Sequence, residues 1–282
     1  MFSVLIASYN NEKYLETAIK SVLQQTYQDF EIVIVDDCST DNSFSILDKY
    51  KNDNRFVIEI LPKNSGCGFA KRRCMELAKG ELCAFLDSDD ALAQNALEDM
   101  AQTHLENPNA SLVSSSYYKC NENLKIMYLR KLKSACKDFL YAKDVDLHFA
   151  SFKRELYLKT SGINPEFKRA VDQDLYLKLS EFGNFVYIPK YHYYYRMHKN
   201  GISTIINDNS DKAFLWFVLA KYNACKRRGL DFDKIIIPHP NMSIPSIKRL
   251  LKLRTIVKSI IIRLNVILKI YAKYELKFNL DK

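Results

Sequence analysis

Three aspartates fall within four positions of the stretch FLDSDDA, residues 85–91: Asp87, Asp89 and Asp90 follow an apolar run. Carboxylates this crowded repel one another unless a cation or strong hydrogen-bond donors sit among them. One reading is a divalent cation site. Oxygen ligands suit Mg²⁺ or Mn²⁺, and Mg²⁺ is held by one or two carboxylates with phosphate oxygens filling other positions. The other reading is a helix cap, with Asp89 and Asp90 starting a helix near Ala91. A DxD triplet alone leaves both open. A second acidic stretch, IVDDCSTDNS at 34–43, places Asp36 and Asp37 behind another apolar run, where a turn closed by Asx-type hydrogen bonds is the plain alternative. Ser8, Tyr9 and Asn10 follow a third.

These groups need elements to position them. Residues 2–7, 31–35, 56–60 and 82–86 are short, apolar and rich in β-branched residues, and read as buried strands. Leu15, Ala18, Ile19, Val22 and Leu23 recur at helical spacing between the first two strands, with Asn10 or Asn11 as cap. CSTDNS opens a second helix capped by Thr40 or Asp41, and a third is expected over about 69–79. Alternating strands and helices imply an α/β fold with a parallel sheet. Ligands of such sheets bind beyond the carboxyl ends of the strands, where all three polar groups fall. Further along, 111–118 and 184–189 read as strands, 191–203 as an aromatic strand with a loop, and 171–182 and 211–228 as helices.

The chain has 282 residues and a net charge of +9, unevenly spread. Residues 241–282 carry ten Lys/Arg against two Asp/Glu, and the first 240 carry 32 against 31. A near-neutral body excludes a general nucleic-acid binder. Seven cysteines without CxxC spacing fit reduced thiols in a cytosolic protein better than a disulfide framework or a zinc site. The N-terminus does not read as a signal peptide, and no stretch reads as membrane-spanning. Pro238, Pro240 and Pro245 mark a linker. In the expected helix over 246–274, Leu250, Leu253, Val257, Ile260, Leu264, Ile267 and Tyr271 form a heptad seam among lysines. That seam suits packing on the body, a homodimer, or an anionic membrane surface.

Taken in order, SYNNEKYLETAIKSVLQQTYQDFEIVIVDDCSTDNS, then NSGCGFAKRRCMELAKGELCAFLDSDD, then AVDQDLYLKL resemble the family 2 glycosyltransferases over roughly residues 2–204. The resemblance implies a GT-A fold: a Rossmann-like, mostly parallel sheet with flanking helices. It divides the chain into a catalytic domain over 1–205, with a nucleotide-binding half (1–109) and an acceptor half (110–205). A helical extension (206–240) and a basic amphipathic helical tail (241–282) follow. It implies transfer of a sugar from a nucleotide diphosphate, a UDP-sugar first, to a glycan or lipid-linked hydroxyl, with inversion and a divalent cation. Ser8 and Tyr9 match the nucleotide side, where Tyr9 would stack near the base. Asp37 would hydrogen-bond the base, and Asp87 would face the ribose. Asp89 would anchor the metal, with His198 beside it, and Asp172 would be the catalytic base. Lys71 and Arg196 match groups near the diphosphate. Three positions depart from the pattern: Ala7 for Pro, Lys71 for Arg and Val171 for Glu.

Two rival readings stand beside this one. FLDSDD also resembles the nucleophile motif of haloacid-dehalogenase-like phosphatases, although that motif follows a first strand and continues Gly-Thr. A binding or scaffold protein without turnover is the other, with Val171 in its favour and Asp172 against it.

Overall fold

The computed structural model describes residues 1–131, 138–141, 147–199, 201 and 209–232. The expected linker and tail helix, 246–274 included, lie outside the described residues.

Four strands, β1 (Phe2–Ser8), β2 (Phe30–Asp36), β3 (Phe56–Ile60) and β4 (Leu82–Phe85), pair in parallel in the order β3-β2-β1-β4. Being covered on both faces, β1 and β2 are almost wholly apolar and buried. Val4, Ile6, Ile32 and Ile34 share one core cluster with Leu15, Ala18, Ile19 and Val22 of α1 (Glu12–Leu23). After the short α2 (Ser43–Asp48), α3 (Cys67–Leu77) packs on β1 and β2.

The helix caps are reciprocal across loops rather than local. Asn11 is the cap position of α1, but its amide donates to the Ser88 hydroxyl at 2.6 Å. Asp41 caps instead: one oxygen accepts the Glu12 amide at 2.9 Å, the other the Ser43 amide at 3.0 Å. Glu12 returns the bond, accepting the Asn42 amide at 2.7 Å.

Beyond β4 the sheet becomes mixed. No helix starts at Ala91; Ala91–Leu92 is a two-residue strand, β5, and α4 begins at Ala96 (Ala96–Glu106). Asp89 and Asp90 therefore do not cap a helix. The sheet continues β4-β8-β6-β9-β5, with β6 (Ala110–Cys120), β8 (Ala150–Lys153) and β9 (Asn184–Arg196). β7 (Ile126–Arg130) hairpins onto the end of β6. Strand β9 runs through the two segments read separately from sequence. Ile188 pairs with Ser115 and Tyr191 with Ser116, so Pro189 and Lys190 bulge out and the proline costs no ladder hydrogen bond. Helices α5 (Arg154–Lys159), α6 (Val171–Leu179) and α7 (Asn209–Arg227) complete the described chain.

Candidate active site

The carboxyl ends of β1, β2 and β4 lie side by side, because Ser8 pairs with Asp36 in the β1–β2 ladder and Leu5 with Phe85 in the β1–β4 ladder. At β2 the two aspartates divide their work. Asp36 closes the turn, accepting the Ser39 amide at 2.7 Å and its hydroxyl at 2.6 Å. Asp37 reaches across to the loop before α3, accepting the amides of Ser65 at 2.7 Å and Gly66 at 2.8 Å. Burial pushes the Asp37 carboxyl up despite these donors. Each Asp37 oxygen keeps a lone pair for a further donor. At β1, Ser8 is buried and its hydroxyl has no partner among the described residues, whereas Tyr9 is 46% exposed.

The crowding in DSDD is relieved by giving each acid a different partner. Asp87 pairs with Lys71, at 3.1 Å. Burial opposes ionisation of Asp87, but the Lys71 charge and hydrogen bond outweigh it and hold the carboxyl below its ordinary range. Lys71 is itself buried, which disfavours its charge; Asp87 and then Asp172 reverse that, and its ammonium stays protonated well above the usual value. Asp89 meets the Nε2 of His198 at 2.9 Å. Asp90 accepts the Arg196 amide at 2.7 Å, and burial with the charges of Asp89 and Asp87 pushes its carboxyl well up. Tyr193, fully buried, accepts the Asp87 amide at 3.3 Å and bonds the Asp90 side chain.

Asp172 sits half-buried in the first turn of α6, behind Ala170, which takes the left-handed region at φ 54°. Lys71, Tyr176 and Cys67 all feel the Asp172 charge, and Cys67 also feels Lys71, Asp87 and Asp37. Those four charged groups thus lie within electrostatic reach of the Cys67 thiol. Val171, in place of the expected Glu, is buried and apolar. The other acid of that turn, Asp174, is 2% exposed and bonded to Lys178 at 2.6 Å, so it is not available to a substrate.

Arg196 is buried against backbone oxygens. Its Nε donates to the Asp89 carbonyl and one terminal nitrogen to the Glu122 carbonyl, both at 2.5 Å. Its other terminal nitrogen has no acceptor among the described residues. The structure thus pairs Lys71 with Asp87 and Asp89 with His198, sets Arg196 against the Asp89 carbonyl, and leaves Asp172 and Asp37 within electrostatic reach of Cys67. Sequence reasoning missed Tyr14, Glu122, Tyr193 and His148, whose ring packs against those of Tyr195 and Tyr193 with centroids 4.1 and 6.0 Å apart. A helix tyrosine, a strand tyrosine and a hairpin glutamate carry no local signal of a site.

A protein-family model, glycosyl transferase family 2, matches residues 3–161. The chain belongs to that family. The phosphatase reading of FLDSDD falls with this match. Among relatives of this chain, the chondroitin synthase of Escherichia coli is 33% identical over 217 residues, covering 72% of this chain and 30% of its own length. The chain spans less than a third of the chondroitin and hyaluronan synthases it matches. S. aureus TarS residues 1–349 in complex with UDP-GlcNAc has the same fold at 22% identity, with a TM-score of 0.69 over 83% of this chain and 69% of that one. The mannosyltransferase PcManGT of Pyrobaculum calidifontis, in complex with GDP-Man and Mn²⁺, aligns at 16% identity and TM-score 0.56 over 90% of this chain and 79% of that one. The expected α/β GT-A architecture is thereby met.

Proposed function

We propose that the chain transfers a sugar from a nucleoside diphosphate, a UDP-sugar in first place, to a hydroxyl of a glycan or lipid-linked acceptor, with inversion. The observation that carries this reading is the pair of charged contacts beyond the parallel sheet, Lys71 with Asp87 and Asp89 with His198, with Arg196 held against the Asp89 carbonyl. The donor's base would lie against exposed Tyr9, near Ser8, and hydrogen-bond Asp37. Asp87 would take the ribose. Arg196 and Lys71 supply fixed positive charge where the leaving diphosphate gains negative charge. Asp172 would accept the proton of the attacking hydroxyl.

The donor set at Asp89 fits a divalent cation. One carboxylate and one imidazole meet there, and no group of three or more metal-binding side chains forms among the described residues. That suits an ion completed by diphosphate oxygens and water, as Mg²⁺ and Mn²⁺ are. When bound, such an ion would help stabilise the charge of the departing diphosphate.

Relatives named for chondroitin and hyaluronan synthesis support a place in surface polysaccharide assembly. We place the enzyme in the cytoplasm, peripheral to the inner membrane face, with the tail at 246–274 as membrane contact or dimer seam. No helix among the described residues is long and apolar enough to cross a membrane. Incubating the protein with a panel of nucleotide-sugars, with and without Mn²⁺, tests the reading. Slow release of nucleoside diphosphate from one donor, lost in EDTA, is expected. Binding without release across donors and acceptors would replace it with the non-catalytic reading.

A further inference from the structure

The turn joining β6 to β7, residues 121–125, lies far in sequence from the strand-end loops yet is tied to the same groups. Glu122 contributes twice. Its carboxylate accepts the Tyr14 hydroxyl at 2.7 Å and pairs with the Lys13 ammonium. Its backbone carbonyl accepts the terminal nitrogen of Arg196. Tyr14, at the start of α1, is only 6% exposed, and its ring serves two cationic or polar neighbours. The Arg196 guanidinium lies 4.5 Å from the ring centroid, and the His198 ring is tilted against it at 4.7 Å. Arg196 and His198 meet Asp89 from one side and this turn and ring from the other.

We propose that Glu122 and Tyr14 form a positioning clamp for the diphosphate side of the donor site. The hairpin turn fixes the tyrosine, and the tyrosine with the Glu122 carbonyl fixes Arg196 and His198. This inference rests on the donor reading above and names residues that nothing in that reading uses. The physical basis is entropy. A free arginine side chain samples many rotamers, and holding its planar fork before the ligand arrives removes that cost from binding. The backbone acceptors satisfy two of its donors without neutralising its charge. Its other terminal nitrogen is buried and has no acceptor among the described residues, and the guanidinium keeps its net charge beside Asp89 and His198. Glu122 lies on an exposed turn with its side chain 46% exposed, and its carboxylate bonds only Lys13 and Tyr14 among the interactions described. Neither residue would touch the reacting atoms; both would act through Arg196 and His198.

Calorimetry on the full chain tests this, with UDP plus Mn²⁺ as one probe and uridine as the other. Glu122→Ala should weaken UDP binding about tenfold, the size of one lost charged hydrogen bond. Uridine affinity and the thermal transition should not move, because the nucleoside does not reach the clamp. Glu122→Gln keeps an acceptor for the tyrosine hydroxyl and should restore most of the loss. Tyr14→Leu should cost at least as much as Glu122→Ala. Should Tyr14→Leu fail to fold, the exposed Glu122 variants decide alone. Unchanged UDP affinity in folded Glu122→Ala overturns the clamp, and so does a parallel loss for UDP and uridine with a lowered melting temperature. If the unaltered protein binds neither UDP nor GDP with Mn²⁺, the donor reading itself fails and takes the clamp with it.

Discussion

Residues 1–92 and 110–198 hold their functional groups by different means. In the first region the groups ride on parallel strands in regular register, and those after β2 are fixed by backbone amides: Asp36 by Ser39, Asp37 by Ser65 and Gly66. In the second, β9 shifts register twice against β6 in its upper half, and its end group is fixed by distant partners. Arg196 is held by Asp89, Asp90 and Glu122, and His198 by Asp89. A parallel sheet presets its strand ends by topology alone, whereas an irregular strand needs tertiary contacts to aim a side chain. The first region is therefore suited to binding a constant part of a ligand. The second is suited to chemistry that is assembled on top of it.

The largest effect should come from the second region. Asp172→Asn is nearly isosteric but cannot take a proton from an acceptor hydroxyl. Turnover should fall by roughly 10²–10⁴-fold, the usual range for a general base. UDP affinity should stay within error, since the first region is untouched. A variant that kept its rate would move the base elsewhere, though not to Asp174, whose carboxylate is buried on Lys178.

The next effect probes the border. Asp89 lies beyond β4 but is paired with His198 beyond β9. Asp89→Ala should weaken UDP in Mn²⁺ by about tenfold or more, because a charged buried partner is lost with its ligand capacity. In EDTA the variant and the parent should bind UDP alike. A similar loss in both conditions would assign Asp89 to positioning Arg196 and His198 rather than to a cation.

This division also explains what the residue pattern revealed. Strands β1 to β4 announce themselves as short apolar runs, and β1, β2 and β4 run on to polar groups, so the crevice was legible from periodicity alone. The caps were not. Asp41 rather than Asn11 satisfies α1, because bonds between loops some thirty residues apart leave no local signature. The residue pattern reads 184–189 and 191–203 as separate segments, but a bulge at Pro189 and Lys190 joins them within β9. Asp90 looked like a helix cap and is instead an acceptor for the Arg196 amide, which only the antiparallel pairing of β5 with β9 reveals. Of the site residues taken from family resemblance, Lys71 pairs with Asp87, and Asp89 with His198. Their companions Tyr14 and Glu122 lie about 108 residues apart and become neighbours only in the folded chain.

A smaller effect tests how tightly the two regions are joined. Gly68, in the first turn of α3, faces three carbonyls of the segment leading to Asp172. A Cβ there would lie 2.5 Å from the Phe167 oxygen, 2.9 Å from that of Pro165 and 3.0 Å from that of Asn164. Backbone cannot swing aside like a side chain, so Gly68→Ala should cost about 1–3 kcal/mol of stability, the range for overpacking. The displaced segment leads into α6, so turnover should drop more than UDP affinity. Denaturant melts and a single donor titration separate the two. Equal losses in rate and binding would mean that α3, with Lys71, moves instead.

The smallest effect concerns Asp90, the joint between the regions. Its carboxyl is pushed well above the ordinary range by burial and by Asp89 and Asp87, so the native state disfavours its ionised form. A carboxyl raised on folding makes stability fall as pH rises from the unfolded value through the folded one. Asp90→Asn keeps an oxygen for the Arg196 amide and removes the titration. At neutral pH the variant should melt a few degrees higher, about what 1 kcal/mol is worth in a chain of this size. The gain should shrink as pH falls toward the ordinary carboxylate range, where the parent's Asp90 is neutral in both states. A cation at Asp89 would offset the same repulsion, so Mn²⁺ with UDP should also narrow the difference. Melting curves across pH, with and without that pair, decide it. A variant less stable than the parent at every pH would mean that the Tyr193 hydrogen bond to the carboxylate outweighs the charge it shares with its neighbours.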